Sequence, residues 1–334
     1  MEKKRILTGD RPTGKLHIGH LLGSLLNRVK LQDEYDSFIE IANIQALSDN
    51  FNNPSKVKES IMELLCDYYA VGIDFEKANV FIQSEVPQIH EIFIYLANFA
   101  TIQQIQHNPT IKTEMAQNRY EDSTPLGFFL YPIHQAADIF SVNADLVPVG
   151  KDQLPMIEDA REVGRRFNTT YGVDVLNQPE ALLGTKINVP GIDGAEKMGK
   201  SLNNCIYLSD SQEELRKKIF KVYTDPSRIH ADDPGRVEGN VAFVYLDLFS
   251  DESQKTEIEE MKKRYREGMI KDVEVKERLF EIMDAVLQPV RDRRKEAEGM
   301  KEELVKKALN SSIVVSSIAR ETADKMKKAM KIEF

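Results

Sequence analysis

The stretch Arg5-Ile6-Leu7-Thr8-Gly9-Asp10-Arg11-Pro12-Thr13-Gly14-Lys15-Leu16-His17-Ile18-Gly19-His20 joins a strand, a turn and the start of a helix. Arg5–Thr8 reads as a short buried strand. Gly9, Pro12 and Gly14 punctuate the turn behind it. A helix is predicted over His20–Gln32, with Leu21, Leu22, Leu25 and Val29 on or near one face and Gln32 beside them. A strand that turns directly into a helix leaves free backbone N–H groups at the positive end of the helix dipole. That is a seat for an anion such as phosphate.

Outward from this turn the α/β rhythm continues. Ser37–Ile44 reads as a second strand and Asn79–Gln83 as a third. Between them a helix is predicted over Pro54–Val71, with Pro54 near its start and Gly72 just past its end. Strands separated by helices of this length imply a parallel sheet with right-handed crossovers. From Pro87 to Val142 the pattern is mainly helical. Leu146–Val149 is a further strand, Asp152–Phe167 a helix, and Lys186–Val189 a last short strand before the loop Gly191-Ile192-Asp193-Gly194. Past about Ser209 only helical patterns remain, among them Asp251–Arg266, Asp272–Leu287 and Glu296–Leu309. The expected architecture is α/β: a Rossmann-like parallel sheet with crossover helices in 1–208, including a helical insertion over about 87–143. A C-terminal all-helical part follows in 209–295, with further helices in 296–334.

The composition fits this reading. The 334 residues are 41% hydrophobic and 30% charged, with mean hydropathy −0.41, enough apolar material for a large core. No run approaches the length a membrane helix requires. Met1-Glu2-Lys3-Lys4-Arg5 leads straight into the first strand without an apolar signal region, and the two cysteines, Cys66 and Cys205, are too few for a disulfide framework. The expectation is a cytoplasmic protein with no membrane association. A net charge of −9 argues against a protein that coats nucleic acid. It leaves room for a local basic face, because 291–334 carries 12 Lys and Arg against 8 Asp and Glu.

Two motifs carry chemistry. His17 and His20 sit three apart on one helical face at the strand–helix turn, where imidazole N–H groups can donate to oxygens that gain charge in a transition state. Read alone, an H-x-x-H pair is more often incidental. A metal site is a third reading, but no third ligand lies nearby in sequence. The second motif is Lys197-Met198-Gly199-Lys200-Ser201, two lysines among small residues in a loop behind a strand, suited to clamp a polyphosphate. Alone it is weak, and it is not a Walker loop, because Asp193 stands where that motif needs its first glycine.

Together, His-Ile-Gly-His at such a turn and the later Lys-Met-Gly-Lys-Ser resemble the class I aminoacyl-tRNA synthetases. The segments Tyr131-Pro132-Ile133-His134-Gln135-Ala136-Ala137-Asp138-Ile139 and Leu146-Val147-Pro148-Val149-Gly150-Lys151-Asp152-Gln153 narrow the resemblance to the bacterial tryptophanyl-tRNA synthetases. Gly9-Asp10-Arg11-Pro12-Thr13-Gly14, Asn108-Pro109-Thr110, Gln153-Leu154-Pro155-Met156, Tyr223-Thr224-Asp225-Pro226 and Asp233–Asn240 are similar to the second bacterial form of that family.

The resemblance implies roles. Asp138 would accept the indole N–H, and its apolar setting, Ala-Ala-Asp-Ile-Phe, makes a plain surface charge the poorer reading. Tyr131 and Gln153 would hold the amino group of tryptophan. Val147 and Val149, on one side of a strand, would line the ring, although ordinary strand core explains them equally well. Gln135 and Gln45 would complete the pocket. ATP would meet Arg11, Pro12, Thr13, Gly19, His20, Gly150, Lys151, Asp152 at the ribose, Asn188 or Val189 at the adenine edge, and the loop Lys197, Met198, Gly199, Lys200 and Ser201. His17, His20, Lys197 and Lys200 would be the catalytic set. Mg²⁺ would arrive with ATP, with no protein ligand.

The implied partners are L-tryptophan, ATP, tRNA(Trp) and a second copy of the chain, paired through about 87–143. Basic residues offered to the anticodon by the helical part include Arg216, Lys217, Lys218, Lys221, Arg228, Arg291, Arg293, Arg294 and Lys295. Solvated helix faces explain most such runs. Three departures or ambiguities stand. Gly199 replaces the usual Ser of the loop. Gln135 followed three residues later by Asp138 is also similar to tyrosyl-tRNA synthetases. Leu7 replaces an aromatic residue common in the pocket floor. A tyrosyl enzyme, a small nucleotidyltransferase and a synthetase-like RNA-binding protein without catalysis remain alternatives.

Overall fold

The computed structural model describes residues 3–118, 124–184, 187–225, 227, 228, 230 and 232–334. Five strands, β1 (Arg5–Asp10), β2 (Asp36–Ile41), β3 (Ala78–Ile82), β4 (Leu146–Val149) and β5 (Glu180–Leu183), form one parallel sheet in the order β3-β2-β1-β4-β5. The fifth strand corrects the sequence expectation. Ile187, Asn188 and Val189 are not strand, and Lys186 lies outside the described residues. Glu180–Leu183 takes the edge instead, because Val147 and Val149 pair in register with Ala181 and Leu183. This segment has weak β propensity, so the pairing partner decides it.

Between β1 and β2 the helix starts at α1 (Ile18–His20), passes through a π-helical turn over Leu21–Leu25 and continues as α2 (Leu26–Glu34). Next come α3 (Asn43–Asn50) and α4 (Pro54–Val71), the latter capped by Asn53 and closed at Gly72. Then follow α5 (Gln88–Ala97), α6 (Ile102–His107), α7 (Pro109–Asn118), α8 (Leu126–Ser141) and α9 (Leu154–Tyr171). The remaining helices are α10 (Gln212–Phe220), α11 (Val241–Phe249), α12 (Lys255–Arg266), α13 (Asp272–Gly299) and α14 (Lys301–Met330).

Both faces of the sheet are covered, as βαβ crossovers require. Alternation along β2 divides the core. Ile39 and Ile41 join α4 and the later helices, while Phe38 joins Leu7, Phe81 and the buried side chains of α5 and α8. The last two helices run further than their sequence signals. α13 continues past Pro289 to Gly299 because Leu287, Val290 and Ala297 are buried. That burial offsets the roughly 3 kcal/mol an internal proline costs. α14 lies along the open edge of β3, where the Ser312 hydroxyl accepts the Ile82 N–H at 3.0 Å and Val315, Ala319 and Ala323 enter the core. A bare strand edge is a pairing hazard, and this helix covers it.

Arg294 is not one of the outward-facing cations the sequence suggested. It is 3% exposed; its Nε donates to Asp67 Oδ1 at 2.8 Å, and its other nitrogens reach Glu63 and Glu298. Most other candidate cations are also engaged: Arg216 with Glu277, Lys217 with Glu213, Lys218 with Asp210, Arg291 with Asp284, Arg228 with Asp272, and Arg293 with the Ala70 carbonyl. Lys221 and Lys295 are exposed. Replacing Arg294 alone strands a buried Asp67 charge. Arg294→Met is expected to cost about 3–5 kcal/mol in urea unfolding, while Arg294→Met with Asp67→Asn recovers most of it.

Candidate active site

The order of the sheet reverses between β1 and β4, and a ligand crevice opens beyond the carboxyl ends of strands at such a switch point. A cavity of about 630 Å³ lies there. Thr8–Arg11 from the end of β1 and Val147–Gln153 from the end of β4 form two of its walls. Of the sequence candidates, Arg11, Gln45, Tyr131, Gln135, Asp138, Val147, Val149, Gly150, Lys151, Asp152, Gln153, Asn188 and Lys197 line it. Val189 does not: its side chain is buried and its carbonyl accepts the Met198 N–H. Pro12 and Thr13 in the turn after β1, His17, Gly19 and His20 at the start of α1, and Met198, Gly199 and Lys200 in the lysine loop lie outside the lining itself. The Ser201 side chain lies outside the described atoms.

The two motifs meet through backbone pairing. Ile18 N–H donates to Ile206 O and Leu208 N–H to Leu16 O, both at 3.0 Å, so the segment after the lysine loop pairs antiparallel with the segment before α1. Lys200 Nζ then reaches Thr13 Oγ1 at 3.2 Å and Gly14 O at 3.0 Å, across 187 positions of chain. Both of these acceptors are neutral, and burial pulls the lysine below its ordinary range. Asn204 holds the loop shut from within. It is 1% exposed, its Oδ1 accepts the Gly199 N–H at 2.8 Å, and its Nδ2 donates to Asp193 at 2.9 Å.

The histidines are fixed as neutral donors. His17 Nδ1 accepts the Gly19 N–H at 3.1 Å, and His20 Nδ1 accepts the His17 N–H at 3.2 Å. Each ring proton therefore sits on Nε2. A Cβ on Gly19 would fall 2.8 Å from the His17 ring, so only glycine lets that ring cap the helix. Burial, with the neighbouring His20 and Lys200 charges, lowers His17 to about 3. Burial lowers His20 to about 4, against the pull of Asp10 and with the push of Lys200. Asp10 itself is held low: burial would raise it, but Arg28 at 2.5 Å and the Tyr68 hydroxyl at 2.7 Å outweigh that.

At the other end of the cavity Asp138, 2% exposed, accepts from Gln83 Nε2 at 2.9 Å. Tyr131 donates to Glu114 at 2.8 Å, and Gln153 to Asp152 at 3.2 Å. Gln83, Glu40, Glu114, Arg28 and Asn204 are site residues that the sequence reading missed. One signal was legible. Glu40 shares the inward face of β2 with Phe38, and an acid at an apolar period-2 position asks for a reason. The others depend on contacts between distant segments. Among the described residues no group of three or more His, Cys, Asp or Glu side chains is placed to hold a metal ion, and no helix is long and apolar enough to cross a membrane.

The depressed histidines make stability acid-sensitive. Between about pH 6.5 and 4 the unfolded chain binds protons at these rings that the folded chain refuses, so stability rises with pH there and falls on acidification. Each histidine contributes a slope of up to about 1.4 kcal/mol per pH unit. Urea midpoints at pH 7 and pH 5 should draw together in a His17→Asn, His20→Asn double variant relative to wild type.

Residues 1–288 match the family model described as tRNA synthetases class I (W and Y). The chain is 47% identical over 338 residues to the tryptophan–tRNA ligase of Clostridium longisporum, covering all of this chain and 98% of that one. It is 46% identical over 339 residues to the tryptophan–tRNA ligase of Streptococcus pneumoniae, covering all of this chain and 99% of that one. Among solved structures, the tryptophanyl-tRNA synthetase of Campylobacter jejuni, complexed with ADP and tryptophan, superposes with a TM-score of 0.86 at 30% identity, covering 98% of this chain and 99% of that one. Likeness of this extent, joined to the backbone pairing that brings the two motifs together, places the chain by descent: it belongs to the class I tRNA synthetases (W and Y).

Proposed function

We propose that the chain is an ATP-dependent aminoacyl-tRNA ligase that activates L-tryptophan and transfers it to the terminal adenosine 2′-hydroxyl of tRNA(Trp). The observation that carries this reading is a single cavity with two chemically distinct ends. One end is lined by Asp10 and Lys197, next to neutral histidine donors and a desolvated lysine, Lys200, whose hydrogen-bond acceptors are uncharged. The other holds a buried carboxylate among apolar side chains. A polyphosphate would relieve the desolvation of Lys200. A flat ring with one N–H would fit between Val147, Val149 and Asp138.

In the first step the tryptophan carboxylate attacks the α-phosphorus of ATP in line, and pyrophosphate leaves with Mg²⁺ bound to it. No protein nucleophile is needed, so the protein acts by positioning and by stabilising charge. His17 and His20 donate through Nε2–H to the phosphate chain, and Lys197 and Lys200 neutralise it from the other side. Arg11, Thr13, Gly150, Lys151 and Asp152 seat the nucleotide, with Asn188 at the adenine edge. Tyr131 and Gln153 hold the amino group, and Glu114, bonded to Tyr131, adds a negative charge beside it. In the second step the tRNA 2′-hydroxyl attacks the mixed anhydride and releases AMP. The helices of 209–295 are the proposed anticodon module, and α5 to α8 the contact of a cytoplasmic homodimer.

ATP–pyrophosphate exchange with each of the twenty amino acids tests the reading. Exchange with tryptophan alone is expected, followed by charging of tRNA(Trp). Because the chain contains no Trp, fluorescence of bound tryptophan gives an independent affinity. Asp138→Ala should lower kcat/KM for tryptophan about 100-fold and erase its preference over analogues lacking the ring N–H. Exchange with tyrosine instead would overturn the pocket assignment, and no exchange at all would favour an RNA-binding protein without catalysis.

A further inference from the structure

Strand β2 places a carboxyl group where its neighbours are apolar. Glu40 is 5% exposed and pairs in register with Gly9 on β1 and Phe81 on β3. Its Oε1 is buried and receives no hydrogen bond. A Cβ on Gly9 would lie 2.9 Å from the Glu40 Cβ, so a side chain at position 9 would displace it. The polar group Glu40 meets is Asp138, and both line the cavity. Among the described residues neither pairs with Lys or Arg. The other titratable groups facing the pair are His134 on α8, 3.6 Å from Asp138 Oδ1, and His90 on α5 behind it. Tyr131 and Glu114 line the same cavity.

Two ionised carboxylates cannot lie side by side away from water, so the pair holds one proton. Burial, then the neighbouring Asp138, raises Glu40 well above the ordinary carboxyl range and keeps the proton there. The far side of Asp138 is also fixed. Gln83 Oε1 accepts the Ile44 and Gln45 N–H groups at 3.1 and 3.2 Å, so its amide cannot turn. Its Nε2 must face Asp138 Oδ1 and His134 Nδ1. His134 therefore accepts at Nδ1 and donates through Nε2 to His90 at 3.0 Å. No donor in this chain of bonds is left to replace Glu40.

We propose that Glu40 is a positioning residue for amino-acid recognition: as a neutral acid it donates to Asp138 and, opposite Gln83, fixes that carboxylate as the acceptor for the ring N–H of the substrate. The proposal rests on the tryptophan reading above. It gives Asp138 a donor on each flank and keeps a single negative charge at the apolar end of the cavity.

The test is ATP–pyrophosphate exchange by the full chain and its Glu40→Gln and Glu40→Met variants. The substrates are tryptophan and its benzothiophene analogue, in which sulfur replaces the ring N–H. Glu40→Met should raise the KM for tryptophan ten- to hundredfold and leave the KM for ATP unchanged. Glu40→Gln, whose amide still donates, should stay within about threefold of wild type. For the benzothiophene analogue, wild type and Glu40→Met should not differ.

An unchanged KM in Glu40→Met, an equal shift for both substrates, or a Glu40→Gln variant as impaired as Glu40→Met overturns the proposal. If Glu40→Met does not fold, the pH profile decides. The wild-type KM for tryptophan should rise as alkali removes the shared proton, and that of Glu40→Gln should not; identical profiles overturn it. A wild-type chain that exchanges no tryptophan would instead remove the functional reading itself.

Discussion

A single buried carboxylate ties the histidine turn to the helical half of the molecule. Asp67, fully buried on α4, accepts the Leu16 N–H at 2.9 Å and the Arg294 Nε at 2.8 Å. Those partners lie 51 and 227 positions away. Leu16 precedes the histidine pair, and Arg294 sits on α13. An unpaired charge at that depth would be expelled, so the carboxylate holds all three segments to one geometry. Burial raises the Asp67 carboxyl and Arg294 pulls it back, which is the signature of a charge that depends on its partner.

The site next to this anchor separates two electrostatic tasks. Beside the histidines, which are neutral donors, two cations, Lys200 and the buried Arg28, are matched differently. Arg28 is neutralised by Asp10, whereas Lys200 bonds neutral oxygens. Of these two cations, therefore, Lys200 is the one that stands to gain from an arriving anion. At the Asp138 end charge is kept to a minimum, since this carboxylate sits against a protonated acid and a rigid amide. A hydrogen bond in such surroundings discriminates strongly, because a ligand lacking the donor leaves a buried acceptor unmet.

The helical half is more than an appendage. α13 packs on α4, α14 closes the β3 edge, and Tyr245 on α11 donates to the Pro190 carbonyl at 2.5 Å, just before the lysine loop. The Tyr223 N–H meets Ile192 O at 2.7 Å. The loop that carries both lysines is thus braced by the helices behind it.

What the sequence by itself determined is local. The strand, turn and helix around Pro12–His20, the helix from Pro54 to Gly72 and the strand Leu146–Val149 follow from apolar periodicity and from Pro and Gly punctuation, which act over a few residues. The Tyr131–Asp138 helix was legible for the same reason, whereas the two motifs, each weak alone, were legible only through their joint resemblance to a known family. The tertiary structure decided everything set by distant partners. Pairing with β4 selected Glu180–Leu183 as the fifth strand over Lys186–Val189. Packing carried α13 through Pro289, and a buried carboxylate turned Arg294 inward. Contact between β2 and α8 made Glu40 and Asp138 a pair. Each of these outcomes is a free-energy difference between a residue in water and the same residue against a neighbour many positions away, and that neighbour is not written in local sequence.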